Sequence, residues 1–245
     1  MSAGSWKERL YHSYVSSGQA PVAASLGPEA AFRGRAAYIN SIIRQHIPRN
    51  TELGIVDIGC GPGAFVYFLR RAGYKNVCGI DGSAEQVAAA QQLGIEGVRH
   101  QHLHDYLAKT DACSADVVLL IDVLEHLTRD ELFSALDGVF RILRPSGTCI
   151  VHVPNGGGIF AMNVRYGDFT HEQAFTARSA GQVFSTIGFH DVRCFEDRPT
   201  VHGLTSLARR LLWEAGTAPF RLLFAAESGS FSVILSQNML ICCNK

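Results

Sequence analysis

Ile55-Val56-Asp57-Ile58-Gly59-Cys60-Gly61-Pro62-Gly63-Ala64 decides the fold. An apolar run ends in an acidic residue and then in three glycines spaced by two. That pattern predicts a buried strand, a tight turn against a ligand, and a helix start. Glycine is needed because a Cβ would block both the turn and the close approach of a ligand to the backbone. The turn by itself fits more than one ligand class, so the residues around it must discriminate.

Outward from this stretch, strands and helices alternate. Strands are predicted at 53–58, 77–81, 98–103, 115–121 and 148–153, with further strands at 189–195 and 231–243. Helices are predicted at 28–46, 63–72, 83–93, from Thr128 onward, and at 177–187, 204–215 and 220–226. Ser83 with Gln86 and Thr128 with Glu131 read as capping boxes. Such β/α alternation with apolar strands predicts an α/β fold: a mostly parallel seven-stranded sheet with one antiparallel strand and helices on both faces. Residues 1–50 read as an N-terminal helical cap and 51–245 as the main domain. Within it, 154–175 form a loop suited to substrate and 203–228 a helical insertion.

Composition narrows the function. Hydrophobic residues are 47% of the 245 and charged residues 18%, so the chain is expected to be globular. Lys plus Arg equals Asp plus Glu at 22 each, which gives no overall electrostatic footprint for nucleic acid. The seven cysteines include no CxxC pair, the pattern of reduced thiols in a cytoplasmic protein. No apolar run is long enough to span a bilayer, and no secretory leader is read at the start.

Asp81 ends the second predicted strand and is followed by Gly82; an acid there can accept hydrogen bonds from both hydroxyls of a ribose. His104-Asp105-Tyr106 follow the third strand, and Ile121-Asp122-Val123-Leu124-Glu125-His126 the fourth. All sit at carboxyl ends of strands, where open α/β sheets bind ligands. The ordered set DIGCGPG, GID, HD and IDVLEH resembles the class I S-adenosylmethionine-dependent methyltransferases over residues 53–195. The resemblance implies a Rossmann-like sheet, S-adenosyl-L-methionine as cofactor and S-adenosyl-L-homocysteine as product. It places Gly59, Cys60 and Gly61 along the methionine and ribose, Asp57 near the ammonium, and Asp81 with Gly82 at the ribose. Asp105 and Tyr106 would flank adenine, and Asp122, Val123 and Leu124 would form a wall below the cofactor. His104 departs from the small residue common at that position.

Two other readings stay open. Gly59, Gly61 and Ala64 also satisfy a loose dinucleotide pattern with Asp81 about 20 residues on. An acid two residues before the first glycine suits a pyrophosphate poorly, however, and Pro62-Gly63 makes a different turn. A non-catalytic scaffold that keeps the fold is the other alternative.

The stretch YGDFTHEQAFT at 166–176 resembles a subgroup that modifies sugars and cell-surface polysaccharides. A small-molecule hydroxyl, on a sugar or nucleotide-sugar, is therefore the expected acceptor; an amine or a quinone-type phenol is the alternative. His171 and His126 are the candidate bases, since imidazole accepts a proton near neutral pH. Asn155, Tyr166, Asp168 and Glu172 are candidate substrate contacts. His100, His102 and His104 alternate as if on one strand face, yet consecutive strand positions rarely close a metal shell. Asp122, Glu125 and His126 lack the second carboxylate pair of a catechol-type magnesium site, and no metal is expected. Trp6, Tyr11 and Tyr14 suggest either a lid or a docked amphipathic helix. The segment 204–226, with Arg209, Arg210, Trp213 and Arg221 among apolar residues, suggests a cap, a homodimer contact or a peripheral membrane surface.

Overall fold

The structure is a computed structural model that describes Leu10 and residues 27–245. The expected lid residues Trp6, Tyr11 and Tyr14 lie outside the described residues.

Seven strands form one sheet: β1 Gly54–Ile58, β2 Asn76–Asp81, β3 Val98–His100, β4 Ala115–Ile121, β5 Leu143–Pro154, β6 His190–Glu196 and β7 Asn238–Asn244. Their order is β3-β2-β1-β4-β5-β7-β6. The pairs from β3 to β5 are parallel, whereas β7 runs antiparallel to both β5 and β6. The chain winds outward from β1 in one direction and from β4 in the other. A crevice therefore opens beyond the carboxyl ends of these two neighbours, and the chemistry-bearing residues gather there.

The helices are α1 Pro28–Ala31, α2 Arg33–His46, α3 Ala64–Arg71, α4 Ala84–Gln92, α5 Leu103–Lys109, α6 Arg129–Ile142, α7 Ala161–Arg165, α8 Ala177–Ile187 and α9 Leu204–Ser228. Strand periodicity divides the core in two. Ile55 packs with Ile39, Ile43, Phe65 and Leu69 on the α2/α3 face. Val56 and Ile58 pack with Leu132, Leu136, Val139 and Phe184 on the α6/α8 face. Helix α2 thus shares one core with the sheet.

The turn into α6 is fixed by the predicted box. Thr128 Oγ1 accepts from the Glu131 amide at 3.4 Å, while Glu131 Oε2 accepts from the Thr128 amide at 2.8 Å. Thr128→Ala is expected to lower stability by about 1 kcal/mol. A urea midpoint that falls with unchanged slope would show this; an unmoved midpoint would mean the box contributes nothing.

Several predicted elements need correction. The first helix is interrupted at Phe32, whose buried ring packs against Tyr67 and Phe68. Strand β3 stops at His100, and His102 is the N-cap of α5, so the three alternating histidines do not share a strand face. Strand β5 begins at Leu143 and absorbs Arg144-Pro145-Ser146-Gly147. Segment 204–226 is one continuous helix, α9, despite Pro219. Pro219 and Ala215, whose carbonyl loses its helical donor, are both exposed, so water can satisfy that carbonyl. Only Ser206 and Thr217 of α9 are buried, and Leu204, Leu212 and Leu223 are exposed. No helix among the described residues is long and apolar enough to cross a membrane. The last strand is shorter than predicted because 231–237 form a loop held by side-chain bonds from Asn155 and Glu196.

Candidate active site

The glycine turn is closed onto the end of β2. The Gly59 and Cys60 amides both donate to the Ile80 carbonyl, at 2.8 and 3.0 Å. Gly59, Gly61 and Gly63 have φ of 74°, 53° and 83°, in the left-handed region that favours glycine. A Cβ on Gly59 would overlap Val123 Cγ2, so the loop after β4 forms part of the floor of the loop after β1. Above Gly61 the space is open: a Cβ there would meet nothing nearer than Gln86 Oε1 at 3.8 Å.

Asp81 fastens this loop. Its Oδ2 accepts from the Gly61 amide at 2.8 Å and its Oδ1 from the Ser83 amide at 2.7 Å. Each oxygen keeps a second lone pair for a hydroxyl of a bound ribose. Burial raises the Asp81 pKa, against the pull of these two amides. Below the loop, Asp57 is buried and its Oδ1 has no hydrogen-bond partner. Burial, then the Asp81 charge, push the Asp57 carboxyl up to about 7, opposed by Arg35. An orphaned buried carboxylate oxygen is costly, and a ligand ammonium would complete it. The Cys60 thiol is pushed up by burial and is no nucleophile. This floor fits S-adenosylmethionine: an acid for the ammonium, an acid for the ribose, and no basic loop for phosphates.

The wall is built differently from the expectation. Asp122 has φ of 56°, and its amide donates to the His152 carbonyl at 3.1 Å. Its carboxylate is hydrogen-bonded to His152 Nδ1, while His152 Nε2 bonds to Asp197 Oδ2 at 3.3 Å. Arg35 approaches Asp122 at 3.9 Å, and the Tyr38 ring meets His152 edge-on at 5.8 Å. Burial favours a neutral His152, but Asp122 and Asp197 overcome it and hold the imidazolium up at about 10. Asp122 is held down in turn: burial opposes its charge, and His152 outweighs burial. Of the expected wall, Val123 abuts the glycine floor, while the Asp122 carboxylate is committed to His152.

Beyond Val123, a 3₁₀ turn at Leu124–His126 meets the loop carrying His171. The Glu125 carbonyl accepts from the Glu172 and Gln173 amides at 2.7 and 3.1 Å, which docks the loop on the turn. Thr170 Oγ1 lies 2.6 Å from Asp168 Oδ1 and 2.7 Å from His126 Nδ1. The carboxylate can only accept, so Thr170 donates to Asp168 and His126 Nδ1–H donates to Thr170. His171 Nδ1 lies 2.9 Å from the Val164 carbonyl, which fixes the same tautomer. Both imidazoles therefore carry their lone pair on Nε2. Their rings meet at 4.8 Å in a T. Glu125 lies beside them, buried, with Oε2 unpartnered. Burial, then Asp122, raise the Glu125 carboxyl well above the usual range. Burial, then His171, lower His126 to about 4.

The remaining expected contacts separate. Asn155 is buried, and its amide donates to the Ile234 and Ser236 carbonyls at 2.8 Å each. Its Oδ1 accepts from Gly157, so this side chain locks loops together instead of meeting substrate. Tyr166 is 72% exposed, with Arg165 over its ring. Asp105 and Tyr106 lie within α5, not in a loop at the rim. Asp105 is exposed in the first turn of this helix, whereas Tyr106 packs into the α6/α8 core, so the two side chains lie in different surroundings. Gly82 lies beside His102, whose Nδ1 would be 3.1 Å from an added Cβ. Glu172 reaches the cluster through its backbone, and Arg165 donates to the His171 and Glu172 carbonyls.

Arg35, Tyr38, His152 and Asp197 have no place in the sequence reading, and Glu125 enters it only in a magnesium site that is set aside. His152 had a signal, since a lone imidazole inside Cys149-Ile150-Val151-His152-Val153 must find buried partners. The others are placed by packing across the fold.

Residues 56–151 match the family described as "Methyltransferase domain". A ubiquinone biosynthesis O-methyltransferase of Rickettsia canadensis is 28% identical over 123 residues, 49% of this chain and 51% of that protein. A malonyl-[acyl-carrier protein] O-methyltransferase of Pectobacterium atrosepticum is 31% identical over 101 residues, 41% and 38% of the two chains. The crystal structure of a SAM-dependent methyltransferase from Archaeoglobus fulgidus superposes with a TM-score of 0.66 at 21% identity, covering 89% of this chain and 97% of that one. The chain spans about half the length of the first of these curated relatives and less of the second.

Residues 56–151 are similar to a methyltransferase domain, and the chain has the fold of S-adenosylmethionine-dependent methyltransferases. Its seven-stranded sheet with the antiparallel β7 is the arrangement the sequence motifs implied.

Proposed function

We propose that this chain transfers a methyl group from S-adenosylmethionine to a hydroxyl of a small-molecule acceptor, in the cytoplasm, where seven free thiols stay reduced. The observation that carries the reading is the imidazole pair. His126, three residues beyond the Val123 wall of the cofactor floor, and His171, whose ring meets it, both carry their lone pairs on Nε2.

Bound S-adenosylmethionine supplies an electrophilic methyl on a sulfonium with a good leaving group. The protein positions and activates. Asp81 and the Gly61 amide hold one end of the pocket, and Asp57 lies under the loop as a counter-charge. His126 and His171 face the acceptor oxygen, where a lone pair can take up or stabilise the loss of the hydroxyl proton. Asp168, through Thr170, keeps His126 in the tautomer this requires. An amine acceptor needs such help less, because its lone pair is already available once it is neutral.

The acceptor is a sugar or nucleotide-sugar hydroxyl, or a phenol of the quinone type. Both curated relatives are named O-methyltransferases, which supports oxygen as the accepting atom. A screen for S-adenosylhomocysteine formation across sugars, nucleotide-sugars, phenols and amines tests this. Turnover is expected with a hydroxyl compound, and turnover with amines alone would contradict it. In the active pairing, His171→Ala is expected to lower kcat at least tenfold while cofactor affinity stays within about twofold. Unchanged turnover would remove His171 from the site.

A further inference from the structure

Glu125, His126 and His171 have more in common than proximity to the acceptor. Each offers one ligand atom, and these atoms all lie within 4.8 Å of one another. A tetrahedral shell built on bonds of ~2.1 Å spaces its ligand atoms about 3.4 Å apart. The present separations therefore exceed that spacing by no more than about 1.4 Å. We propose that Glu125 Oε2, His126 Nε2 and His171 Nε2 bind a divalent transition cation of the zinc class.

Three features favour a cation site over a chance grouping. Glu125 is 1% exposed, and its Oε2 has no hydrogen-bond partner, so a carboxyl group is buried with one oxygen unsatisfied. A cation between it and the imidazoles supplies that partner. Both histidines donate Nδ1–H to an oxygen, His126 to Thr170 and His171 to the Val164 carbonyl. This is the outer-shell arrangement that turns the other ring nitrogen toward a metal and stiffens the ring. Thr170 is itself braced by Asp168. Finally, the two segments are docked through the Glu125 carbonyl on the Glu172 and Gln173 amides, so the ligands ride on a joined turn and loop.

The donor set selects the ion. Two imidazoles and one carboxylate suit zinc, cobalt or ferrous iron, whereas magnesium prefers an all-oxygen shell with several waters. Asp122 does not join, since its carboxylate is engaged by His152. Three protein ligands leave a coordination position open, as in catalytic rather than structural sites. Given the function proposed above, that position would receive the acceptor oxygen and lower its pKa, the cation acting in place of the imidazole lone pairs and the hydroxyl proton passing to solvent. Cation binding is read without acceptor or methyl donor, so its failure is distinguishable from failure of that function.

The test is a cobalt titration. The full chain is stripped with a chelator, dialysed, and titrated with Co²⁺ while visible absorption and metal content are followed. One equivalent per chain with a visible ligand-field band is expected. A Glu125→Gln/His171→Ala double variant should bind Co²⁺ at least tenfold more weakly, with unchanged far-ultraviolet dichroism and S-adenosylhomocysteine affinity. Magnesium in millimolar excess should not displace cobalt from the unmodified chain. Absence of the band in the folded chain would overturn the proposal. So would equal Co²⁺ affinity in a folded double variant, or displacement by magnesium. If the variant does not fold, His126→Ala serves in its place under the same criteria.

Discussion

Asp81→Ala is expected to weaken S-adenosylmethionine binding at least a hundredfold, about 3 kcal/mol. The size follows from two losses at one residue. Asp81 now accepts from the Gly61 and Ser83 amides, so its removal releases the glycine loop from the start of α4. It also deletes the acid proposed to hold the ribose, and hydrogen bonds to a charged group contribute roughly 1.5–3 kcal/mol. Asp81→Asn keeps one carbonyl oxygen and should cost less, near tenfold. Calorimetric titration of both variants separates the contributions. If Asp81→Ala binds as tightly as the unmodified chain, the ribose lies elsewhere.

Stability is expected to fall as pH rises from 6.5 to 8, and His152 alone accounts for about 2 kcal/mol of that fall. Its folded pKa, about 10, lies above the unfolded value near 6.5. The stabilisation is complete below the unfolded value and is lost as pH climbs toward the folded one. Over this interval the folded chain keeps a proton that the unfolded chain releases, so the free energy of unfolding drops by about 1.4 kcal/mol per pH unit. The groups facing the imidazole are Asp122 and Asp197, with Tyr38 at its edge and Arg35 beyond Asp122. Glu125 acts with the same sign because its folded pKa is raised, and Asp57 does so up to about pH 7. Asp122 is depressed, so its share is present here and is lost only in acid. Unfolded thiols, with pKa near 8.5, begin to titrate only at the top of this interval and add a smaller fall of the same sign. Urea unfolding at both pH values measures the change, and His152→Gln should flatten it. A profile that is level in the unmodified chain would show that the imidazole is not held charged.

Where local chemistry determines structure, the sequence was legible. The run from Ile55 to Ala64 predicts a strand, a tight turn and a helix, and each glycine there has a positive φ. Asp81 reads as the partner of that turn, and Thr128 with Glu131 reads as a cap. The site around the acceptor was legible in residue type but not in arrangement. His126 and His171 stand out as imidazoles, yet their tautomers depend on Thr170 and the Val164 carbonyl, which only the folded loop brings to them. Glu125 enters the sequence reading only beside Asp122 and His126; docking of residues 172 and 173 onto its own carbonyl helps bury it. His102 was read as a strand residue because alternation with His100 imitates a period of two, whereas its backbone begins a helix. Pro219 was read as a break, but its exposed position lets water satisfy the carbonyl it leaves without a donor. Asn155 looks like a ligand contact because it follows a strand end, but its side chain is engaged by the Ile234 and Ser236 carbonyls and the Gly157 amide.

Calorimetric titration of the chain with S-adenosylhomocysteine, alongside NAD, is the most direct measurement of the cofactor pocket. Saturation at one S-adenosylhomocysteine per chain with no heat from NAD is the predicted result. Heat from NAD with none from S-adenosylhomocysteine would contradict the assignment of Gly59, Gly61, Asp57 and Asp81 to a methyl donor.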